Sequence, residues 1–212
     1  MPVISADGNV IAFVTPVAFE SNDNNDADDV YIHDRQAGKT TRVSIHTGSG
    51  SINNTGEAKT PAISADGNFI AFASPVGFET NDNNNADDIY LHDRTQNETT
   101  RVSIHTGSGS IDNTGAAKTP SVSEDGSVIA FVSPVGFETN DNNNADDVYV
   151  HDRTENETTR VSIHTGSGSI DNTGGAKTPS ISADGNIIAF VSPVAFDPDD
   201  VNNTDDVYIH CR

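Results

Sequence analysis

Four times along the chain the same text sets acids and amides at fixed offsets: Asp, any residue, Asn, any two residues, then Asp-Asp. The positions are Asp23, Asn25, Asp28 and Asp29; Asp82, Asn84, Asp87 and Asp88; Asp141, Asn143, Asp146 and Asp147; and Asp200, Asn202, Asp205 and Asp206. Every side-chain donor here is oxygen, which suits a hard cation and excludes a thiolate or imidazole zinc centre. Ligands at positions one, three, six and seven can turn several oxygens to one point, as the first turn of an EF-hand does, so weakly held calcium is the expected ion. The loop is not itself an EF-hand, because it lacks glycine at position six and glutamate at position twelve. The competing reading is a solvated acidic turn, since Asn and Asp favour loops by bonding their own backbone. Against it, three carboxylates within seven residues repel one another unless splayed or neutralised.

Other residues invite catalytic readings that the repetition weakens. His33-Asp34-Arg35 recurs as His92-Asp93-Arg94 and His151-Asp152-Arg153, and the fourth copy reads His210-Cys211-Arg212. A triad needs one base held by one acid beside one nucleophile, and an active site normally breaks the symmetry of a repeat. The plainer expectation is that Asp34 caps the following turn while Arg35 pairs with nearby carboxylates. His46, His105 and His164 close the last strand of each complete unit and lack a spacing such as His-Glu-x-x-His, so they mark an exposed edge. The TGSGS segments lack the Gly-Lys-Ser/Thr ending of a phosphate loop and read as flexible connections. Sequons at Asn53, Asn97, Asn156 and Asn202 carry little weight where Asn and Thr are so frequent. No catalytic residue is assigned, and no Gly-x-Ser-x-Gly elbow occurs.

What positions these residues is a repeat of 59 residues, begun by Pro2, Pro61, Pro120 and Pro179. Residues 61–119 and 120–178 differ at only ten positions, and the fourth copy reaches Arg212 after 34 residues. The units are therefore 1–60, 61–119, 120–178 and an incomplete 179–212, together one repeat domain. In the second unit, strands are predicted at 61–64, 69–73, 89–92 and 99–105. Asp66-Gly67 closes the first hairpin. The run Phe69-Ile70-Ala71-Phe72-Ala73 is apolar throughout, as in a strand covered on both faces. Thr99 to His105 alternates as a half-exposed strand does, and no helical period occurs anywhere.

Composition bounds the function. Thirty-two acids against eleven bases give a net charge of −21, which argues against nucleic acid and anionic membranes as partners. With 6% aromatics and no Trp the core must be lean. Cys211 stands alone and forms no internal disulfide. No apolar run is long enough for a membrane span, and the N-terminus lacks the pattern of a signal peptide, so any export signal is expected outside this chain.

A four-stranded antiparallel meander, linked from its outermost strand to the next innermost one, is a propeller blade. The texts SADGNxIAF, DDVYxHDR and TTRVS resemble the TolB-type, WD-like β-propeller repeat of bacterial proteins, and the resemblance spans essentially the whole chain. It implies an all-β propeller of four-stranded blades, the fourth lacking its outer strand. Some such repeats are thought to bind calcium through Asp-x-Asn-Gly loops, and here Asp26, Asn85, Asn144 and Asn203 stand where glycine is usual. Asn and Asp are the residues best able to replace it in a left-handed conformation.

The 59-residue period is longer than the usual blade of about 40–45 residues, and the blades are few. Without an outer strand, Val207 to His210 would present an unpaired edge, which proteins usually protect. The expected solution is a homo-oligomeric ring, such as two chains making eight blades, or a longer array; the alternative is a closed four-bladed monomer. The expected function is a non-enzymatic, calcium-stabilised, extracytoplasmic module for binding, scaffolding or self-assembly. The alternatives are a lectin-like glycan receptor, disfavoured by the scarcity of aromatics, and the accessory propeller of a larger hydrolase.

Overall fold

The computed structural model describes residues 1–212 except 48–56, 80, 81, 83, 107–116, 139, 140, 142, 164–174 and 198. Asn53, His164 and most of the Gly/Ser-rich connections therefore lie outside the described residues.

The described residues form four antiparallel sheets and no helix. The first contains β1 (Val3–Ile4), β2 (Val10–Thr15), β3 (Asp29–Asp34) and β4 (Lys39–Arg42). The second contains β5 (Lys59–Ile63), β6 (Phe69–Ser74), β7 (Asp88–Asp93) and β8 (Glu98–Arg101). β9 (Lys118–Val122), β10 (Val128–Ser133), β11 (Asp147–Asp152) and β12 (Glu157–Arg160) make the third. The fourth holds only β13 (Lys177–Ile181), β14 (Ile187–Ser192) and β15 (Asp206–Cys211). Strand order follows chain order in every sheet, so each is a meander and the fold is a β-propeller array.

Alternation along the middle strands explains the stacking. On β6, Ile70 and Phe72 point to one face and pack with Val10, Ala12, Val30 and Ile32 of the first sheet. Ala71 and Ala73 point to the other face and pack with Ile129 and Phe131 of the third. The continuous apolar run in β6 follows from burial on both faces, as the sequence pattern predicts.

Glycine at the hairpin between the first two strands of each later blade lets the layers approach. Gly67, Gly126 and Gly185 all have positive φ, near 70°. A Cβ on Gly126 would lie 2.3 Å from the Phe69 ring, and one on Gly185 would lie 2.7 Å from Val128. Backbone bonds from Ala6 to Ala65 and from Glu124 to Ala183, both 2.9 Å, tie neighbouring hairpins together.

Two boundaries differ from the predicted ranges by two residues or more. Each later blade begins at a lysine, two residues before the proline, after which Thr60, Thr119 and Thr178 take φ near 50° beside a break in register. The fourth strand ends at Arg101 and not at His105, because the Val102 and Ser103 amides both donate to the Ile89 carbonyl and turn the chain.

The end blades each keep one uncovered face. On the fourth, Ile187, Val207 and Ile209 are 45%, 72% and 67% exposed, whereas their counterparts Val128, Val148 and Val150 are at most 3%. On the first, Phe19 is 54% exposed, whereas Phe78 and Phe137 are 2%.

Candidate metal-binding loops

The acidic loop joins the second and third strands of each blade, and an aromatic trio seats it. Phe78 stands edge-on to both Phe72 and Tyr90, with ring centroids 5.4 and 4.9 Å apart, and the Tyr90 hydroxyl donates to Asp82. The same trio recurs with Tyr31, Tyr149 and Tyr208, whose hydroxyls donate to Asp23, Asp141 and Asp200. Burial and the adjoining carboxylate push the Tyr31 and Tyr208 hydroxyls up to about 12, so each stays protonated and remains a donor.

Asn84 folds the loop on itself. Its Oδ1 accepts from the Ala86 amide at 2.8 Å and its Nδ2 donates to Asp88 at 2.8 Å. Asp26, Asn85, Asn144 and Asn203 have φ between 54° and 56°, the left-handed conformation expected of residues standing in for glycine.

Three of the four sequence-predicted ligands in each loop converge, but in the complete blades the cation between them is an arginine. Arg42 Nη1 lies 3.1 Å from Asp23 and 3.3 Å from Asp29. Arg101 lies 3.5 Å from both Asp82 and Asp88, and Arg160 lies 3.4 and 3.6 Å from Asp141 and Asp147. Ser44, Ser103 and Ser162 donate to the second carboxylate of each pair. The fourth predicted ligand faces elsewhere: Asp87, Asp146 and Asp205 pair with Lys59, Lys118 and Lys177 at 2.7–2.9 Å.

These surroundings are buried. Asp88 is fully buried, and burial pushes its carboxyl up to about 6 against the hydrogen bonds from Ser103 and Asn84. Asp147 is raised for the same reason. Among the described residues no group of three or more His, Cys, Asp or Glu is arranged to hold a metal ion. In the complete blades the oxygens expected to face calcium face a guanidinium instead, so as they stand they do not fit the ion. In each of the three complete blades the loop is an acidic turn with a built-in counter-ion.

The residues that the sequence reading left unpaired with the loop are Arg42, Arg101 and Arg160, with their lysine, serine and tyrosine companions. A signal was available. An arginine follows the first aspartate by 19 residues in every complete copy, and only there.

The histidines and aspartates of the His-Asp-Arg trios have structural partners. Nδ1 of His33, His92 and His151 lies 2.9–3.0 Å from the hydroxyl of Thr40, Thr99 and Thr158. Burial holds the His92 and His151 imidazoles down at about 4. Asp34 accepts from the Ala37 amide, closing the turn, and from Arg94 of the next blade at 2.9 Å. Both interactions hold its carboxyl below the usual range. Arg212 reaches Asp152 in the same way, while Arg153 lies 5.2 Å from the Phe69 ring. Asn97 and Asn156 occupy exposed turns at φ 52°, and the Asn202 amide is bonded to Asp206.

A cleft of about 420 Å³ opens between the first two blades, lined by Asp34, Lys39, Arg42, His92, Arg94 and neighbours that include no Phe, Tyr or Trp. No helix among the described residues is long and apolar enough to cross a membrane.

No protein-family model matches the chain and no curated protein matches it in sequence. Solved structures resemble it in fold. TolB from Acinetobacter baumannii is 22% identical with a TM-score of 0.52, over 99% of this chain and 40% of TolB. The tricorn protease is 16% identical with a TM-score of 0.55, over 97% of this chain and 16% of that one. A structure from a study of two prolyl endopeptidases is 16% identical with a TM-score of 0.57, over all of this chain and 27% of that one. The chain thus spans two-fifths or less of each, and at these identities the likeness establishes the fold alone.

Proposed function

We propose that this chain is a non-enzymatic propeller scaffold that self-assembles by stacking the open face of its fourth blade on the open face of the first blade of another copy. The observation that carries the proposal is the contrast between end and interior blades. The same residue types that are buried at three internal junctions are uncovered at the two ends. Val207 and Ile209 repeat Val148 and Val150, while Ile11, Phe13 and Phe19 repeat Ile70, Phe72 and Phe78. Such an interface is heterologous, so it closes into a ring or runs on as a filament according to the rotation per blade. One difference marks the new junction: Cys211 stands where Asp34 and Asp152 accept the next blade's arginine, so Arg35 of the incoming copy finds no carboxylate there.

Sedimentation velocity over a hundredfold range of concentration tests this, with mass expected to rise with concentration. A chain that stays monomeric throughout overturns the reading. Calcium has no assigned part in this scaffold, because in the complete blades the arginines supply the positive charge. An accessory role beside a catalytic domain is the second reading, supported by the likeness to the tricorn protease and the prolyl endopeptidase structure. The glycan-receptor reading draws no support from the cleft, whose lining lacks the aromatic platforms sugars stack on. We place the scaffold outside the cytoplasm on its resemblance to TolB-type repeats.

A further inference from the structure

The turn between β3 and β4 breaks the repeat. Gln36, Ala37, Gly38 and Lys39 stand where the second unit has Thr95, Gln96, Asn97 and Glu98 and the third has Thr154, Glu155, Asn156 and Glu157. This is the longest run of consecutive differences between the first unit and the second, and it reverses a charge. Two of its residues, Ala37 and Lys39, line the cleft of about 420 Å³ between the first two blades. The copies agree where packing recurs in every blade, so a change gathered at one cleft answers to something outside that packing.

Lys39 has no counter-ion. Among the described residues Lys59, Lys118 and Lys177 each pair with an aspartate at 2.7–2.9 Å, and Lys39 pairs with none. The carboxylates around the cleft are engaged. Asp34, opposite Lys39 across the strand pair, accepts from Arg94 and from the Ala37 amide, both at 2.9 Å. Arg42 is held by Asp23 and Asp29. Glu20 accepts from the Arg42 amide, at the far end of β4 from Lys39. At a rise of about 3.3 Å per residue those two ends lie about 10 Å apart. That exceeds the Debye length of about 8 Å at physiological ionic strength, so Glu20 opposes an anion at Lys39 only weakly. The turn is also slighter than its counterparts. Ala37 ends at Cβ where Gln96 and Glu155 continue, and a Cβ on Gly38 would meet nothing within 4 Å.

We infer that this cleft is a binding site for a small aliphatic carboxylate, with its charge against Lys39 and its hydrocarbon body against Ile32, Val43 and Ile45, which also line the cleft. The volume lies within the range of about 300–1,000 Å³ usual for small-molecule sites. Apolar contact removes hydrocarbon from water, while one charged hydrogen bond fixes the orientation. Glu98 and Glu157 hold the Lys39 position in the second and third units, where a carboxylate would meet a like charge at contact. Of the three complete units, only the first therefore admits this ligand. The site lies between two blades of one chain and is independent of end-to-end stacking.

The test is methyl NMR of the chain labelled at isoleucine and valine, titrated at about 0.15 M salt with isocaproate and, separately, with its uncharged counterpart isocaproamide. Isocaproate is expected to shift the Ile32, Val43 and Ile45 methyls to saturation, with a Kd of about 10 mM or tighter. Isocaproamide is expected to bind about tenfold more weakly or worse, and Lys39→Glu to weaken isocaproate by about tenfold or more. Glutamate already occupies this turn position in two units, so the variant is expected to fold, and circular dichroism checks that it does. The amide comparison leaves the protein unaltered. The inference is overturned by no saturation up to about 50 mM, by equal binding of the acid and the amide, by a folded Lys39→Glu chain that binds isocaproate as the wild type does, or by shifts confined to residues outside the cleft.

Discussion

Replacing Arg101 by glutamine separates the arginine's charge from its place in the strand, because the bond that its backbone amide donates to the Glu79 carboxylate at 2.8 Å is retained. Its guanidinium lies 3.5 Å from Asp82 and from the fully buried Asp88. Asp88 titrates at about 6, raised by burial, whereas an unfolded aspartate titrates near 3.9. A folded pKa above the unfolded one means that Asp88 lends stability at low pH, which is lost as pH rises through 6. Removing the guanidinium raises that pKa further, and the penalty through Asp88 saturates when the carboxyl takes up a proton. At about 1.36 kcal/mol per pH unit, the room for that penalty above pH 6 is about 3 kcal/mol at pH 8, about 1 at pH 7 and almost none at pH 6. Urea unfolding followed by circular dichroism at these three pH values is the assay. The loss in Arg101→Gln is expected to shrink as pH falls. An equal loss at all three values refutes the idea that Arg101 acts on Asp88 as its counter-ion.

Three shorter predictions follow from the same geometry. Asn85→Ala is expected to cost about 1 kcal/mol more than Asn85→Gly, since φ is 56° there; equal effects would remove the left-handed requirement. Thr119 is β-branched at φ 50° with its buried hydroxyl unpartnered, so Thr119→Gly is expected to raise the melting temperature, and a fall would show that its methyl packing outweighs the strain. Buried neutral, His92 and His151 lend stability above pH 6.5 that is lost as pH falls through about 4, and their NMR titrations are expected near 4, with values above 6 contradicting their burial.

The blades were legible because their signals are local. Asp66-Gly67 and an apolar run bounded by turns identify a hairpin and a doubly covered strand without knowledge of the rest of the fold. The left-handed Asn85 was legible for the same reason, since the conformation belongs to one residue and its type. The counter-ion was not legible from the loop alone. Arg101 meets Asp82 only after β7 and β8 pair and bring the end of the outer strand beside the loop. Charge repulsion showed that the carboxylates need a partner but not whether it is a metal ion or a side chain. The end of β8 was misplaced because Thr, Val and Ser suit a strand locally, while two amides sharing one carbonyl is a tertiary event.

Two single variants, each closing a different end, test the self-assembly most directly. Phe19→Glu charges the open face of the first blade and Val207→Glu charges that of the fourth, at positions 54% and 72% exposed, and circular dichroism of each variant reports whether it is folded. Mass measured by sedimentation is expected to show each variant monomeric alone and the equimolar mixture dimeric, because one intact first-blade face then meets one intact fourth-blade face and growth stops. A mixture that stays monomeric, or either variant associating alone as the wild type does, would contradict head-to-tail stacking.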